Sequence, residues 1–380
     1  MNILYITPFV PEEKAGHAGG VCTAKMLEIL KRNNNVTVLT YANNDKEYEL
    51  LKLHPDFRYI RYSKYKYLWN FLKHLNMPAI FAVRNDREFK NRIIQIIQEK
   101  SIDAIHAEFT AMGQFEWIKK KFPDIKFTLV EHDVTVQSYM RKRDESKGIW
   151  HWLYSVEAKK VQKYENQYLK NADNIIIFNE KDRRLINDIY GIDSARVINP
   201  YFGVSSIDCP DTEKEYDICF VGAMNRQENI EAANTVIEIA EKQHIRASII
   251  GANPPEEMVQ RSSEYVNVTG FVDDINSEII KSKIAVFPLK RGAGIKLKVL
   301  LACCLGIPVI TTGVGAEGID EEGKYLIIAN TDEDILRETL SLINSPEEIK
   351  ELGKQCQLFV KNRFDLSKTE KVFKEIYDNN

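Results

Sequence analysis

Hydrophobic positions along the chain alternate between two kinds of segment. Short apolar runs rich in β-branched residues predict buried strands at residues 2–7, 36–40, 104–106, 126–130, 174–178, 216–221, 247–251, 284–287, 309–312 and 325–328. Amphipathic stretches between them predict helices, such as residues 21–32, 87–100, 151–170, 230–242, 295–305 and 331–342. Because continuous apolar strands need helices on both faces, this alternation predicts two open parallel sheets in an α/β protein.

The segment 199–212, NPYFGVSSIDCPDT, interrupts the alternation with two prolines and a glycine. It predicts a boundary between a first domain of residues 1–200 and a second of residues 201–365. A last amphipathic segment, 366–380, predicts one more helix. Ligands of such sheets bind at the carboxyl ends of the strands, so we expect chemistry at strand ends and in a cleft between the domains.

Composition narrows the class of protein. The 380 residues are 44% hydrophobic and 28% charged, which excludes a disordered chain. The six cysteines form no CxxC pair and no Cys/His cluster, so no metal site is expected. The opening residues lack the features of a signal peptide, and no stretch reaches the roughly 18 apolar residues that span a bilayer. We therefore expect a cytoplasmic protein, either soluble or peripheral at the inner face of the cell membrane.

A glycine-rich segment, GHAGG at residues 16–20, follows the first predicted strand and opens the first helix. Its paired glycines, Gly19 and Gly20, permit close approach of a ligand, and a helix N-terminus offers free N–H groups to an anion. The spacing is not GxGxxG, so a dinucleotide-binding fingerprint is excluded. A turn that requires positive φ explains the segment as well as a ligand contact does.

Three titratable residues, Glu131, His132 and Asp133, directly follow another predicted strand. His132 is suited to hydrogen bonding or proton transfer near neutral pH, although a structural histidine fits the sequence equally well. His106 and Glu108 end the preceding predicted strand, and we expect them beside it.

The strongest candidate site is the strand-to-helix segment 288–300, PLKRGAGIKLKVL. Its glycines leave the turn open, the helix N-terminus supplies amides, and Lys296 and Lys298 add full positive charges. Cations are normally favoured at helix C-termini, so their place here indicates an anion between them. A solvated basic helix start is the alternative. The spacing differs from that of a Walker A loop, and the segment predicts a phosphate site of another kind.

This region, KRGAGIKLKVLLACCLGIPVITTGVGAEGID, resembles the donor-binding segment of family-four glycosyltransferases. FVGAMNRQENIEAAN at 220–234, VTGFVDDI at 268–275, the opening NILYITPFVP and the EHD at 131–133 resemble other parts of that family. The resemblance implies a GT-B fold, with two Rossmann-like, doubly wound parallel-sheet domains facing a cleft and the last helix packing back on the first domain. It also implies retaining transfer of a sugar from a nucleotide sugar, without a metal ion or a cofactor.

The same resemblance assigns roles to residues. His132 is implied to contact the transferred sugar, Asp133 to hold that strand end, and Lys298 to stabilise the leaving diphosphate. These three are the catalytic candidates. The residues implied to bind the donor are Gly19, Gly20, Gly222, Arg226, Phe271, Val272, Gly294, Ile295, Lys296, Lys298 and Glu317.

Two positions depart from the family pattern. The family has two glutamates eight residues apart, the second of which binds the nucleotide ribose; here these positions are Ala293 and Leu301. A lost hydrogen bond to a charged group costs about 1.5–3 kcal/mol, which would weaken donor binding. The chain is therefore either an active transferase or a non-catalytic GT-B partner that recruits or stabilises one. A nucleotide-sugar epimerase of the same fold is a lesser alternative.

Charge is unevenly distributed between the two halves. Residues 1–200 carry a formal charge of +7 and the remainder carries -10, and all four tryptophans lie in the first half. The stretch from Arg58 to His74, RYIRYSKYKYLWNFLKH, interleaves basic with aromatic residues, as an anionic membrane surface would require. Packing of a tyrosine-rich segment on its own domain is the alternative, and nucleic acid is not expected. We expect a glycan or lipid-linked acceptor, in the synthesis of a cell-surface polysaccharide.

Overall fold

The computed structural model describes residues 1–15, 18–199, 203, 213–292 and 294–378. The chain divides into two compact units, of which the first comprises residues 1–201 and 366–380 and the second residues 202–365. Most of the segment in which the sequence predicts the boundary, 199–212, lies outside the described residues. Within the described residues, no helix combines the length and the apolarity needed to cross a bilayer.

The first unit contains a parallel sheet. Its described strands are β1 (Asn2–Thr7), β2 (Asn35–Ala42), β3 (Arg58–Arg61), β4 (Ala104–Glu108), β5 (Lys126–Glu131), β6 (Asn174–Ile177) and β7 (Arg196–Val197). They lie in the order β3-β2-β1-β4-β5-β6-β7. Ile3 of β1 pairs with Val36 on one side and with Ala104 on the other. The direction of strand progression therefore reverses between β1 and β4.

Helices and short 3-10 turns connect these strands. The 3-10 turns are Glu13–Ala15 and Thr110–Phe115, and the helices are α1 (Ala18–Asn33), α2 (Asp45–Leu51), α3 (Lys64–Lys73), α4 (Ala79–Ala82), α5 (Arg87–Lys100), α6 (Ile118–Lys121), α7 (Thr135–Glu145), α8 (Gly148–Asn171) and α9 (Glu180–Tyr190). Local sequence explains several helix starts. Ser63 and Asp86, for example, accept hydrogen bonds from the backbone N–H groups of Lys66 and Phe89, as N-cap residues do.

The second unit repeats this architecture. Its described elements are β8 (Tyr216–Val221), α10 (Gln227–Gln243), β9 (Ala247–Ile250), α11 (Glu256–Val259), β10 (Val266–Gly270), α12 (Ile275–Ile279), β11 (Ser282–Phe287), α13 (Leu297–Cys304), β12 (Val309–Thr311), α14 (Gly313–Ala316), β13 (Ile327–Ile328), α15 (Asp332–Ile343) and α16 (Pro346–Arg363). The parallel strand order is β10-β9-β8-β11-β12-β13. Here the reversal falls between β8 and β11. The predicted pair of parallel sheets is confirmed.

The last helix, α17 (Leu366–Tyr377), belongs to the first unit and packs against α1. Phe373 and Tyr377 are buried, and the Thr369 hydroxyl donates to the backbone oxygen of Asn199 at 3.1 Å. The end of the chain thus contributes side chains to the interior of the first unit.

Differences from the predicted elements concentrate at the sheet edges. β3, β7 and β10 were not predicted, and each is an edge strand. An edge strand has a neighbour on one side only, so β3 buries only Ile60 and shows no continuous apolar run. The predicted strand 325–328 is shorter than expected, because the backbone N–H groups of Tyr325 and Leu326 donate to Asp320 Oδ2 instead of joining the sheet.

Helix α16 packs closely against the turn that follows α13. A Cβ atom placed on Gly353 would lie 2.1 Å from the backbone oxygen of Gly306, far inside van der Waals contact. Glycine is therefore required in the middle of this helix, although glycine normally weakens helices.

Replacing Gly353 by alanine should lower the free energy of unfolding by about 1–3 kcal/mol, since overpacking outweighs the better helix propensity of alanine. Denaturant unfolding followed by circular dichroism measures this change. Lys354→Ala, at the exposed neighbouring position, is the control and should change the free energy of unfolding by less than about 0.5 kcal/mol. Stabilisation by Gly353→Ala would contradict the close packing.

Candidate functional site

The first group of candidate residues lies where β4 and β5 end. His132 Nε2 is 2.6 Å from Glu108 Oε2. The other carboxylate oxygen accepts a hydrogen bond from the Tyr5 hydroxyl at 2.8 Å and lies 3.0 Å from His106 Nε2. Burial alone would raise the pKa of Glu108, but the hydrogen bonds from His106 and His132 outweigh it and lower the pKa to about 2. The fully buried carboxylate is therefore ionised, and the two histidines expected at this edge lie on either side of it.

Aromatic rings hold the His132 side chain. The Phe109 ring stacks on the imidazole with centroids 3.6 Å apart, and Phe178 meets it edge-on at 4.7 Å. Phe109 has φ of +71°, in the left-handed region that non-glycine residues avoid. Such backbone strain costs about 1–3 kcal/mol and concentrates at functional sites. Nothing in the sequence singled out Phe109.

A second set of carboxyl groups lies behind this strand end. Glu131 accepts a hydrogen bond from the Thr110 hydroxyl, and Glu165 accepts one from the backbone N–H of Thr135 at 2.7 Å. Burial, followed by the charge of Glu165, raises the pKa of Glu131 well above its usual range. Burial likewise raises the pKa of Glu165 to about 7, and the charge of half-buried Asp133 adds to that shift. Asp133 therefore lies among buried acids, whereas His132 belongs to the Glu108 group.

The second candidate region lies in the other unit, at the ends of the neighbouring strands β8 and β11. Lys298, in the first turn of α13, places Nζ 2.7 Å from Asn229 Oδ1 and 4.6 Å from the centroid of the Phe220 ring. Burial, followed by the nearby positive charge of Arg226, lowers the pKa of Lys298 to about 7. A Cβ atom on Gly222 would lie 2.9 Å from Lys298 Nζ, so only glycine leaves room for this arrangement.

Lys296 is the N-cap residue of α13 and lies beside the turn that the sequence singled out. Its Nζ is 2.6 Å from the backbone oxygen of Gly294 and 3.9 Å from Glu317 Oε2. Gly294 has φ of +68°, a conformation that favours glycine, and the next residue, Ile295, is half-buried. Glu317 is buried just after α14. Folding thus brings the predicted residues Lys296 and Glu317 together from two different loops.

Three further donor candidates of this unit are exposed or half-buried. The Arg226 guanidinium lies 2.6 Å from Glu228 Oε1 and stays largely exposed. Phe271 and Val272 follow β10, with Phe271 exposed and Val272 half-buried. Leu301, the position at which the family pattern has glutamate, is half-buried one helical turn after Lys298.

Gly19 and Gly20 lie in the first turn of α1, and the preceding residues 16 and 17 are outside the described residues. Thr23 Oγ1 donates to the backbone oxygen of Gly19 at 2.9 Å. The Thr23 backbone oxygen in turn lies 3.0 Å from the Tyr5 hydroxyl. This helix start is therefore linked through Tyr5 to Glu108.

Sequence reasoning missed two contributors. Asn229 contacts Lys298 from α10 and also donates to the backbone oxygen of Ala223 at 2.8 Å. Tyr377 contacts His106 from the end of the chain. Asn229 lies within the segment FVGAMNRQENIEAAN, which resembled the family, but neither residue type nor spacing distinguished it there.

Comparison with known proteins identifies the family. Residues 21–201 match the family model described as Glycosyltransferase Family 4, and residues 215–345 match the one described as Glycosyl transferases group 1. An uncharacterised glycosyltransferase from Methanocaldococcus jannaschii, MJ1069, is 23% identical over 383 residues, covering 95% of this chain and 95% of that protein.

Solved structures with a similar fold cover almost the whole chain. A sucrose-phosphate synthase from Thermosynechococcus elongatus gives a TM-score of 0.74 at 15% identity, covering 99% of this chain and 98% of that one. The Anabaena protein HepE in complex with UDP gives 0.72 at 14% identity, covering 100% of both chains. These likenesses and the two parallel sheets confirm the GT-B fold implied by the sequence resemblance.

Proposed function

The chain belongs to the glycosyltransferases of family 4 and group 1, and from this we propose that it moves a sugar from a nucleotide sugar to a glycan or lipid-linked acceptor. In this proposal the transfer retains the anomeric configuration, needs no metal ion, and serves the synthesis of a cell-surface polysaccharide. The observation that carries it is the position of Lys298 and Lys296, at the strand reversal of the second unit.

The donor diphosphate has a physical reason to bind there. Ligands of doubly wound sheets bind where the strand order reverses, and a helix N-terminus such as that of α13 favours an anion. Lys298 has a neutral amide oxygen as its close polar contact and a lowered pKa, so a phosphate would provide the missing counter-charge. As the bond between the sugar and the diphosphate breaks, negative charge grows on the diphosphate. Lysines in fixed positions would stabilise that charge as a metal ion would. The complex of HepE with UDP supports a nucleoside diphosphate as part of the ligand.

His132 is the residue proposed to contact the transferred sugar. Its imidazole is held on one edge by Glu108 and on its face by Phe109, so a hydrogen bond to a sugar hydroxyl would cost little further ordering. Asp133 is proposed to hold this strand end. Gly19 and Gly20, at the start of α1, are proposed to leave room for the donor phosphate and the acceptor.

Leu301 favours a second candidate function. Its apolar side chain cannot accept hydrogen bonds from a ribose, and it follows Lys298 by one helical turn. A GT-B protein that binds no donor could still recruit or stabilise an active transferase. Donor binding and turnover separate the two candidates, and they also separate both from an epimerase, which would interconvert sugars without an acceptor.

We expect the wild-type protein to bind and turn over at least one member of a panel of nucleotide sugars, with release of the nucleoside diphosphate. Lys298→Ala should lower kcat/KM by about 100-fold or more, because charge on the leaving group loses its fixed partner. Coupled detection of the released diphosphate gives the rate. Lys242→Ala, which removes an exposed lysine of α10, is the control. A wild type that binds no donor would favour the non-catalytic partner.

Binding of UDP should take up close to one proton at about pH 8. In the free protein Lys298 is mostly neutral at that pH, since its pKa is about 7. The negative diphosphate favours the protonated form and raises the pKa, so affinity should fall by up to about tenfold per pH unit above neutrality. Calorimetry in two buffers of different ionisation enthalpy measures the uptake.

Lys298→Arg is the matched control for this uptake, because a guanidinium stays charged throughout that pH range. The variant should bind UDP with little proton uptake. An equal uptake in both proteins would assign the proton to another group.

Membrane contact of the acceptor side is proposed from helix α3. Its inner face is anchored, since Asn70 is buried and the Tyr67 hydroxyl donates to Asn43 Oδ1 at 2.8 Å. Its outer face carries a stripe of large apolar side chains that are between 52% and 86% exposed, namely Tyr65, Leu68, Trp69 and Leu72. The positions repeat with helical spacing, and Lys73 Nζ lies 4.8 Å from the Trp69 ring. Tryptophan, tyrosine and lysine together are typical of membrane interfaces.

A second exposed apolar group lies at the start of α8, in the same unit. Ile149, Trp150 and Trp152 are all more than 60% exposed. Helix α8 is tied to the region after α3, because Lys160 Nζ donates to the backbone oxygen of Leu75 at 2.9 Å. Both groups belong to the positively charged half of the chain, which supports an anionic lipid surface as their partner.

The protein should co-sediment with liposomes that contain anionic lipid at low salt, and binding to purely zwitterionic liposomes should be much weaker. Replacing Trp69 and Leu72 together by serine should reduce binding by about tenfold or more, because apolar area can no longer enter the interface. Leu53→Ser, at an equally exposed leucine outside the stripe, is the control. Unchanged sedimentation of the double variant would exclude α3 as the contact.

A further inference from the structure

The hydrogen bonds around Glu108 join more residues than Glu108 and His132. Tyr377, near the end of α17, places its hydroxyl 2.7 Å from His106 Nδ1. His106 Nε2 and His132 Nε2 lie 3.0 and 2.6 Å from the two oxygens of Glu108. A continuous chain of hydrogen bonds therefore runs from the last helix, through the sheet, to the residue proposed to contact the sugar.

The direction of each hydrogen bond follows from the charge of Glu108. An ionised carboxylate can only accept, so the protons of this chain lie on Nε2 of both imidazoles. His106 Nδ1 must then accept, and the Tyr377 hydroxyl donates to it. His132 Nδ1 is likewise an acceptor, which suits a hydrogen bond from a sugar hydroxyl.

The surroundings favour this arrangement of charge. The titratable groups that face Glu108 are Tyr5 from β1, Cys22 from α1, His106 from β4, His132 from β5 and Tyr377 from α17. Burial raises the pKa of Tyr5, Cys22 and Tyr377, so these three groups are neutral. The carboxylate is therefore stabilised by hydrogen bonds from Tyr5 and from the Nε2 atoms of the two imidazoles.

We propose that Glu108 positions the imidazole of His132. Tyr377, in α17, supports Glu108 in this role through its hydrogen bond to His106. The three side chains set which imidazole nitrogen of His132 carries the proton and keep Nδ1 as an acceptor for the transferred sugar. The inference rests on the proposed glycosyl transfer for its consequence, but the tautomer itself is independent of activity. It gives α17 a part in the site, through a contact between residues 271 positions apart.

Nitrogen-15 NMR of histidine-labelled protein reads the tautomers directly, and the chain has only seven histidines. The resonances of His132 are identified by their loss in His132→Asn. In the wild type, both His132 and His106 should show protonated Nε2 and unprotonated Nδ1 at about pH 8. A wild-type His132 protonated on Nδ1 would overturn the proposal.

Glu108→Gln is the principal variant. Its amide can donate to His132 Nε2, so the proton should move to Nδ1, and kcat should fall by about 100-fold with the wrong tautomer. The donor KM should change less than about threefold, because the diphosphate contacts lie elsewhere. An unchanged His132 tautomer in this variant would sink the proposal.

Tyr377→Phe keeps the test decisive if Glu108→Gln does not fold. Loss of the hydroxyl that donates to His106 Nδ1 should shift the nitrogen-15 resonance of that atom, and kcat should fall by about three- to tenfold because His106 then holds Glu108 less firmly. Tyr190→Phe is the matched control, since it removes another buried tyrosine hydroxyl, one that donates to Glu165. It should affect stability without shifting the His106 or His132 resonances, whereas equal effects of the two variants would indicate a purely structural role.

The NMR result tests the hydrogen-bond chain, and the kinetic result tests the proposed function, so either can be refuted without the other. A wild type that turns over no donor would remove the proposed function, yet the tautomers would still confirm or refute the hydrogen-bond chain. Active protein with the wrong tautomer would refute the chain and leave the function standing.

Discussion

Parallel strand pairing is the constraint on which both units depend. Strands that run in one direction bring all their carboxyl ends to one edge, and the reversal of strand order opens that edge to a ligand. In the first unit the reversal lies between β1 and β4, where Tyr5 meets Glu108. In the second it lies between β8 and β11, where Gly222 makes room for Lys298. The helices follow from the same constraint, because apolar strands must be covered.

At one strand edge the surroundings stabilise a buried charge, and at the other they destabilise it. Glu108 is surrounded by hydrogen-bond donors, and its pKa falls although burial alone would raise it. Lys298 has the amide of Asn229 beside it and another cation nearby, so its pKa falls because burial is not compensated. A satisfied carboxylate gives a rigid framework that orients its neighbours. A buried lysine with no full negative charge in contact loses its proton more easily than an exposed one.

The central strands were predicted, whereas three of the four edge strands of the described sheets were missed. β1 and β8 have the predicted bounds, because both lie inside their sheets and their apolar runs are uninterrupted. The edge strand β3 was missed because only one of its residues is buried. The sequence singled out the loop before α13 as a candidate site because glycines and lysines combine there in an unusual pattern. Phe109 was not, since its strained backbone leaves no trace in residue type.

The sequence by itself determined the alternation of strands and helices, the two parallel sheets and the family, because periodicity and short motifs are local properties of the chain. Only the tertiary structure decided which side chains meet. The contact of Tyr377 with His106 depends on the return of α17 to the first unit, and the contact of Lys298 with Asn229 depends on β8 lying next to β11. Burial and charge partners, which set the pKa values of Glu108 and Lys298, exist only once those contacts have formed.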